Sequence, residues 1–139
     1  MPTLQLKISA PQKPAVPAFY REVARELTAI TASILGKRPE LTAVMIEEVP
    51  ASRWQVGAHP VRRTTFWLEI SITAATNTAA QKAAFVEAAF DALQGLLGGG
   101  GNGLEPASYV IVRELSATDW GYGGQTQAAR RVLAAAPAL

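Results

Sequence analysis

The sequence contains no cysteine and a single histidine, His59. The first absence excludes disulfides, thiol nucleophiles and cysteine-based zinc sites. The second excludes a multi-histidine metal site within one chain. No apolar run approaches the roughly 20 residues that a membrane-spanning helix needs. The opening, Met1-Pro2-Thr3-Leu4-Gln5-Leu6-Lys7, lacks the basic-then-apolar layout of a secretory leader, so a cytoplasmic protein is expected. Charge is scarce too: 17% of the 139 residues are charged and the net charge is only +2. The basic residues are scattered apart from Lys37-Arg38, Arg62-Arg63 and Arg130-Arg131, which is not the footprint of a nucleic-acid binder. Neither nucleic acid nor membrane is an expected partner. Apolar residues are what the chain does have, at 49%, enough for one folded domain over 1–139 with a substantial core.

The chain repeats itself. Leu6-Lys7-Ile8-Ser9 recurs as Leu68-Glu69-Ile70-Ser71, and the stretch from Ile46 to Trp54 recurs from Val112 to Trp120. The second offset exceeds the first by the length of the run Gly98–Gly101. The repeats cover about 2–58 and 65–124, with a tail over 125–139. Each reads as strand, helix, strand. From Thr3 to Ser9 apolar and polar residues alternate, the period of a half-buried strand. Pro11, Pro14 and Pro17 hold off a helix until Pro17, which suits a first helical turn. Phe19, Val23, Leu27, Ile30 and Ile34 then form an apolar stripe, ended by Gly36 and Pro39. Ala43 to Val49 is the second strand. In the second half, Phe66 to Thr73 is a strand and Thr78 with Gln81 forms a capping-box signature. Val86, Ala89, Phe90, Leu93 and Leu97 give the matching stripe before a strand over Tyr109 to Leu115. Strands flanking a helix pair in parallel with a right-handed crossover. Two such units predict an α+β (α/β) fold, a four-stranded mixed sheet with two helices on one face. The bare face needs cover, which predicts an oligomer.

Pro2 is the sharpest chemical candidate. Met aminopeptidases remove Met1 before proline, leaving a secondary amine fixed at the start of a strand. A terminal amine titrates near pKa 7.7–8.0. An apolar pocket disfavours its cation and yields a neutral base near working pH. Each repeat ends alike, in Arg53-Trp54-Gln55-Val56-Gly57 and Asp119-Trp120-Gly121-Tyr122-Gly123, an aromatic just after a strand followed by small residues.

Pro2, the tandem repeat and the Trp-Gly tail together resemble the tautomerase superfamily. The likeness extends to about Arg131 and is to its double-length members, such as malonate semialdehyde decarboxylase and 4-oxalocrotonate tautomerase-like proteins. The resemblance implies a homotrimer of double-length chains, no cofactor and no metal. It also implies Pro2 at the base of an apolar pocket, acting on a small 2-oxo acid or its enol. Trp120 matches the family's pocket aromatic, Tyr122 lies near it, and Tyr109 and Arg113 join them as candidate substrate-binding residues. The implied activity is that of an isomerase, a keto–enol tautomerase.

The family's carboxylate-binding arginines are missing. Their positions fall on Gln12 and Ala43, on Tyr109 in the second repeat, and on Ala75 and Asn77. Arg53, Arg62, Arg63 and Arg113 are the candidate substitutes, since a guanidinium suits bidentate carboxylate binding. Glu40, Glu48 and Glu114 are the carboxylates available to activate water. The equivalent positions of Glu48 and Glu114 favour a shared structural role. His59 falls in the linker between the repeats. The glycine run lacks a following Lys-Ser/Thr and reads as a connector rather than a phosphate cradle. Two alternatives stand beside the tautomerase: a decarboxylase or hydratase using protonated Pro2, and an inactive trimeric binding scaffold.

Overall fold

The computed structural model describes residues 1–11, 17–98 and 103–135. Gln12, Pro14, Gly99–Gly101 and the end of the tail from Ala136 lie outside the described residues. Strand β1 (Thr3–Ser9) leads to helix α1 (Pro17–Leu35), a short 3-10 turn at Pro39–Leu41, and β2 (Ala43–Glu48). A two-residue hairpin follows, β3 (Gln55–Val56) with β4 (His59–Pro60). The second repeat runs β5 (Thr65–Thr73), α2 (Ala79–Leu97) and β6 (Tyr109–Leu115). Its own hairpin, β7 (Gly121–Tyr122) with β8 (Gln125–Thr126), leads into α3 (Gln127–Ala135).

The four long strands form one sheet in the order β2-β1-β5-β6. Each repeat pairs its own strands in parallel, while β1 and β5 pair antiparallel at the centre. The repeats therefore join through their first strands. On one face Leu4, Leu6 and Ile8 of β1 meet Phe66, Leu68, Ile70 and Ile72 of β5, and all are buried. Both helices cover this face and pack on each other.

The seam of α1 is Val23, Leu27, Thr31 and Leu35, every fourth residue. Phe19, Ile30 and Ile34 of the predicted stripe flank it, partly buried. Thr31 sits in the core because its hydroxyl donates to the Leu27 carbonyl at 2.7 Å, which satisfies it within the helix. In α2 the seam is Phe85, Ala89, Leu93 and Leu97, so Phe85 replaces the predicted Val86, which is exposed. The capping box forms as its sequence implies: Gln81 N–H donates to Thr78 Oγ1 at 3.1 Å and the Gln81 side chain accepts from Thr78 N–H at 2.9 Å.

The opposite face is open. Met45, Trp67 and Tyr109 are exposed there, with the Trp67 and Tyr109 rings 5.7 Å apart. No described helix is long and apolar enough to cross a membrane.

Candidate active site

Strand direction decides which loops share an end of the sheet. The start of β1 pairs with the start of β2, Thr3 opposite Ala43, and with the end of β5, Thr3 opposite Ser71. Ser71 in turn lies opposite Arg113 and Thr73 opposite Leu115, so β6 also finishes here. Pro2, the end of α1, the β5–α2 loop, the β7–β8 hairpin and α3 consequently gather at one end. Trp54 and the β3–β4 hairpin gather at the other.

Pro2 is buried, and its carbonyl accepts from Ala43 N–H at 3.2 Å, which splices the N-terminus into the sheet edge. With Met1 in place the ionisable amine is that of Met1. Its pKa is held below the ordinary value, first by partial burial and then by the positive charges of Lys37 and Arg130. The Lys37 ammonium is itself lowered, by burial and then by Arg131. Lys37 Nζ donates to Thr76 Oγ1 at 2.9 Å, and Thr76 Oγ1 donates to the Thr73 carbonyl at 2.6 Å. The N-terminal amine therefore feels two cations, Lys37 just after α1 and Arg130 on α3, and Arg131 of α3 acts in turn on Lys37. None of Lys37, Arg130 and Arg131 has a carboxylate partner among the described residues, where the ion pairs are Arg38–Glu40, Lys82–Glu114 and Arg113–Glu69.

The aromatic tail completes this end. Trp120 is half-buried; its carbonyl accepts from Gln127 N–H at 2.9 Å, and its indole N–H is buried with no acceptor among the described residues. Tyr122 accepts at its carbonyl from Arg130 Nε at 3.2 Å and Nη2 at 2.9 Å. The guanidinium carbon also lies 3.7 Å from the Tyr122 ring centroid. Gly121 and Gly123 permit this packing. A Cβ on Gly121 would lie 1.9 Å from the Gln125 carbonyl oxygen, and one on Gly123 would lie 2.6 Å from Arg130 Nη2.

Of the candidate site residues, Trp120 and Tyr122 share the Pro2 end. Within one chain Tyr109 lies at the other end, and Arg113, level with Thr3 through Ser71, lies on the open face. Tyr109 starts β6 opposite Trp67, at the far end of the sheet on the open face. Arg113 points to that same open face, where it pairs with Glu69 at 3.5 Å.

No protein-family model and no curated protein sequence matches the chain. Solved structures match over nearly its whole length. A native fused 4-OT is 25% identical, with a TM-score of 0.73, covering 95% of this chain and 98% of that one. Pt0534 inactivated by 2-oxo-3-pentynoate is 12% identical with a TM-score of 0.78, covering 92% and 98%. The chain has the double-length tautomerase-like fold. A third structure on the same fold is N1, a member of the cis-3-chloroacrylic acid dehalogenase family, at 17% identity and a TM-score of 0.73, covering 96% and 92%.

Two of the positions at which the sequence resemblance implies arginine, Asn77 and Ala75, do structural work here. Asn77 donates from Nδ2 to the Leu35 carbonyl at 3.0 Å and to Gln81 Oε1 at 3.1 Å, tying the end of α1 to the start of α2. Ala75 turns with φ 62° and its N–H donates to Glu114 Oε2 at 3.1 Å. Glu114 is also the partner of Lys82, so its carboxyl is held below the usual carboxylate range, first by Lys82 and then by that N–H. Glu114 thus braces loop and helix. Glu40, beside Arg38, is an exposed ion pair.

The sequence reading missed Lys37 and Arg130 as neighbours of the N-terminus. Lys37 gave a usable signal, since it follows directly on the Gly36 that stops α1. Arg130 lies on a helix placed in the tail, and its signal was the cap: Ala129 N–H donates to Thr126 Oγ1 at 3.0 Å, ahead of a run of strong helix formers.

Proposed function

We propose that this protein is a cofactor-independent keto–enol tautomerase, in which the amine of Pro2, freed by loss of Met1, is the general base. Its substrate is a small 2-oxo acid or the corresponding enol, and it works in the cytoplasm as a homotrimer. The observation that carries the reading is the setting of the N-terminus on this fold. Pro2 is buried at a sheet end, and the amine beside it is held towards its neutral form by burial and by neighbouring cations. A neutral amine accepts the proton from carbon or from an enol hydroxyl and returns it at the other position. The same cations offset the negative charge that grows on the enolate oxygen. A positioned base of this kind contributes roughly 10²–10⁴-fold.

The solved relatives support the substrate class. Pt0534 is inactivated by 2-oxo-3-pentynoate, a 2-oxo acid, and its structure has this fold. The fused 4-OT named Q0 is a symmetric trimer. The open sheet face with Met45, Trp67 and Tyr109 exposed gives this chain an apolar surface suited to the same assembly. Trp120 and Tyr122 wall the site at the Pro2 end.

The test is ketonisation of phenylenolpyruvate, followed by ultraviolet absorbance, on protein whose intact mass shows that Met1 is gone. Wild-type turnover that falls at least 100-fold in Pro2→Ala supports the base. Equal turnover in the two proteins refutes it.

A further inference from the structure

We propose that Arg130, presented by α3, is the residue that holds the carboxylate of the substrate. The inference rests on reading the Pro2 end as a site for a 2-oxo acid or its enol, and it names the recognition element of that site. The arginine positions of the family are filled here by residues that cannot take an anion's charge, and Arg113 faces away with Glu69 as its partner. The positive charge at the Pro2 end comes instead from Lys37, Arg130 and Arg131. Three cations without a carboxylate among the described residues repel one another, and an incoming anion relieves that repulsion.

Lys37 is held by one hydrogen bond to Thr76, whereas Arg130 is held by two and by an aromatic ring. Its Nε and Nη2 both donate to the Tyr122 carbonyl, and its guanidinium carbon lies over the Tyr122 ring. The helix that bears it is tied down at its start: Gln127 N–H donates to the Trp120 carbonyl and Ala128 N–H to the Ala117 carbonyl, at 2.9 and 2.8 Å. A guanidinium has five N–H donors in a planar fork. Two are used on Tyr122. The pair on Nη1 and the second on Nη2 remain, and together they form an edge that matches the two oxygens of a carboxylate. Gly123 leaves the space that Nη2 occupies. Because the fork is held before ligand arrives, little rotamer freedom is lost on binding. The buried indole N–H of Trp120, without an acceptor among the described residues, adds a neutral donor at the same end.

The experiment compares an acid with its ester. Binding of phenylpyruvate and of methyl phenylpyruvate is measured by calorimetry on mature wild type, Arg130→Gln, Arg130→Lys, Gly123→Ala and Pro2→Ala. Arg130→Gln weakens the acid about 10- to 100-fold, the worth of charged hydrogen bonds to one carboxylate, and changes the ester less than about twofold. Arg130→Lys recovers part of the acid affinity, since charge is kept and the fork is lost. Gly123→Ala, which crowds the guanidinium without removing it, falls between wild type and Arg130→Gln. Equal weakening of acid and ester overturns the proposal, because a mere staple of the hairpin would affect both alike. Undiminished acid binding in Arg130→Gln, or no acid binding by wild type, overturns it as well. Pro2→Ala separates the two ideas: if it turns over phenylenolpyruvate like wild type, the base assignment fails while the acid–ester contrast still decides Arg130.

Discussion

Phe85 and Val86 are adjacent in α2 and similar in hydropathy, yet they occupy opposite environments. Phe85 is 0% exposed and lies on the seam that meets the sheet, whereas Val86 is 37% exposed. Truncating Phe85 to alanine removes a ring from a closed core and leaves a cavity that the two helices cannot fully collapse. Such a change costs about 3–5 kcal/mol. Full burial of a valine side chain is worth about 1.5–3 kcal/mol. Val86→Ala forfeits only part of that, and alanine's better helix propensity returns roughly 0.5 kcal/mol. The net cost of Val86→Ala is therefore below about 1 kcal/mol. Equilibrium urea unfolding at one fixed protein concentration measures both, since an oligomer's stability depends on concentration. Losses that are equal, or larger for Val86, would show that the seam of α2 is misassigned.

Gly121→Ala brings a methyl group onto the Gln125 carbonyl, so the β7–β8 hairpin opens and acid binding falls with it. Its unfolding midpoint shifts less than that of Phe85→Ala, because the hairpin lies outside the core. Thr78→Ala removes the capping box of α2 and costs about 1 kcal/mol in the same urea assay. Lys37→Gln and Arg130→Gln each take away a cation that disfavours the protonated N-terminal amine. The amine pKa then rises, so the acidic limb of the pH–kcat/KM profile moves to higher pH in both variants. A limb that stays put or moves down would show that these charges do not act on the base.

Much of this architecture could be read in the residues. Alternation over β1, the Thr78/Gln81 box and the recurrence of Leu6–Ser9 at Leu68–Ser71 each fix a local structure that tertiary packing leaves unchanged. The helical seams were legible only to within one residue of rotation. Val86 and Phe85 are both apolar, and which one turns inward depends on the crossing of α1 against α2. Thr31 was hidden because a polar residue reads as surface, although its hydroxyl is satisfied within its own helix. The site was less legible than the fold. Pro2, Trp120 and Tyr122 carried local signals. The charge effect of Lys37 and Arg130 on the N-terminal amine acts between chain segments far apart in sequence, set by the β2-β1-β5-β6 order and by where α3 docks.

The most direct measurement of the central claim is covalent. Mature protein, its loss of Met1 confirmed by intact mass, is incubated with 2-oxo-3-pentynoate near neutral pH and mapped by peptide mass spectrometry. A neutral Pro2 amine adds to the alkyne, so the account predicts one adduct on the N-terminal peptide together with loss of ketonisation. An unmodified Pro2, or an adduct at any other residue, would contradict it.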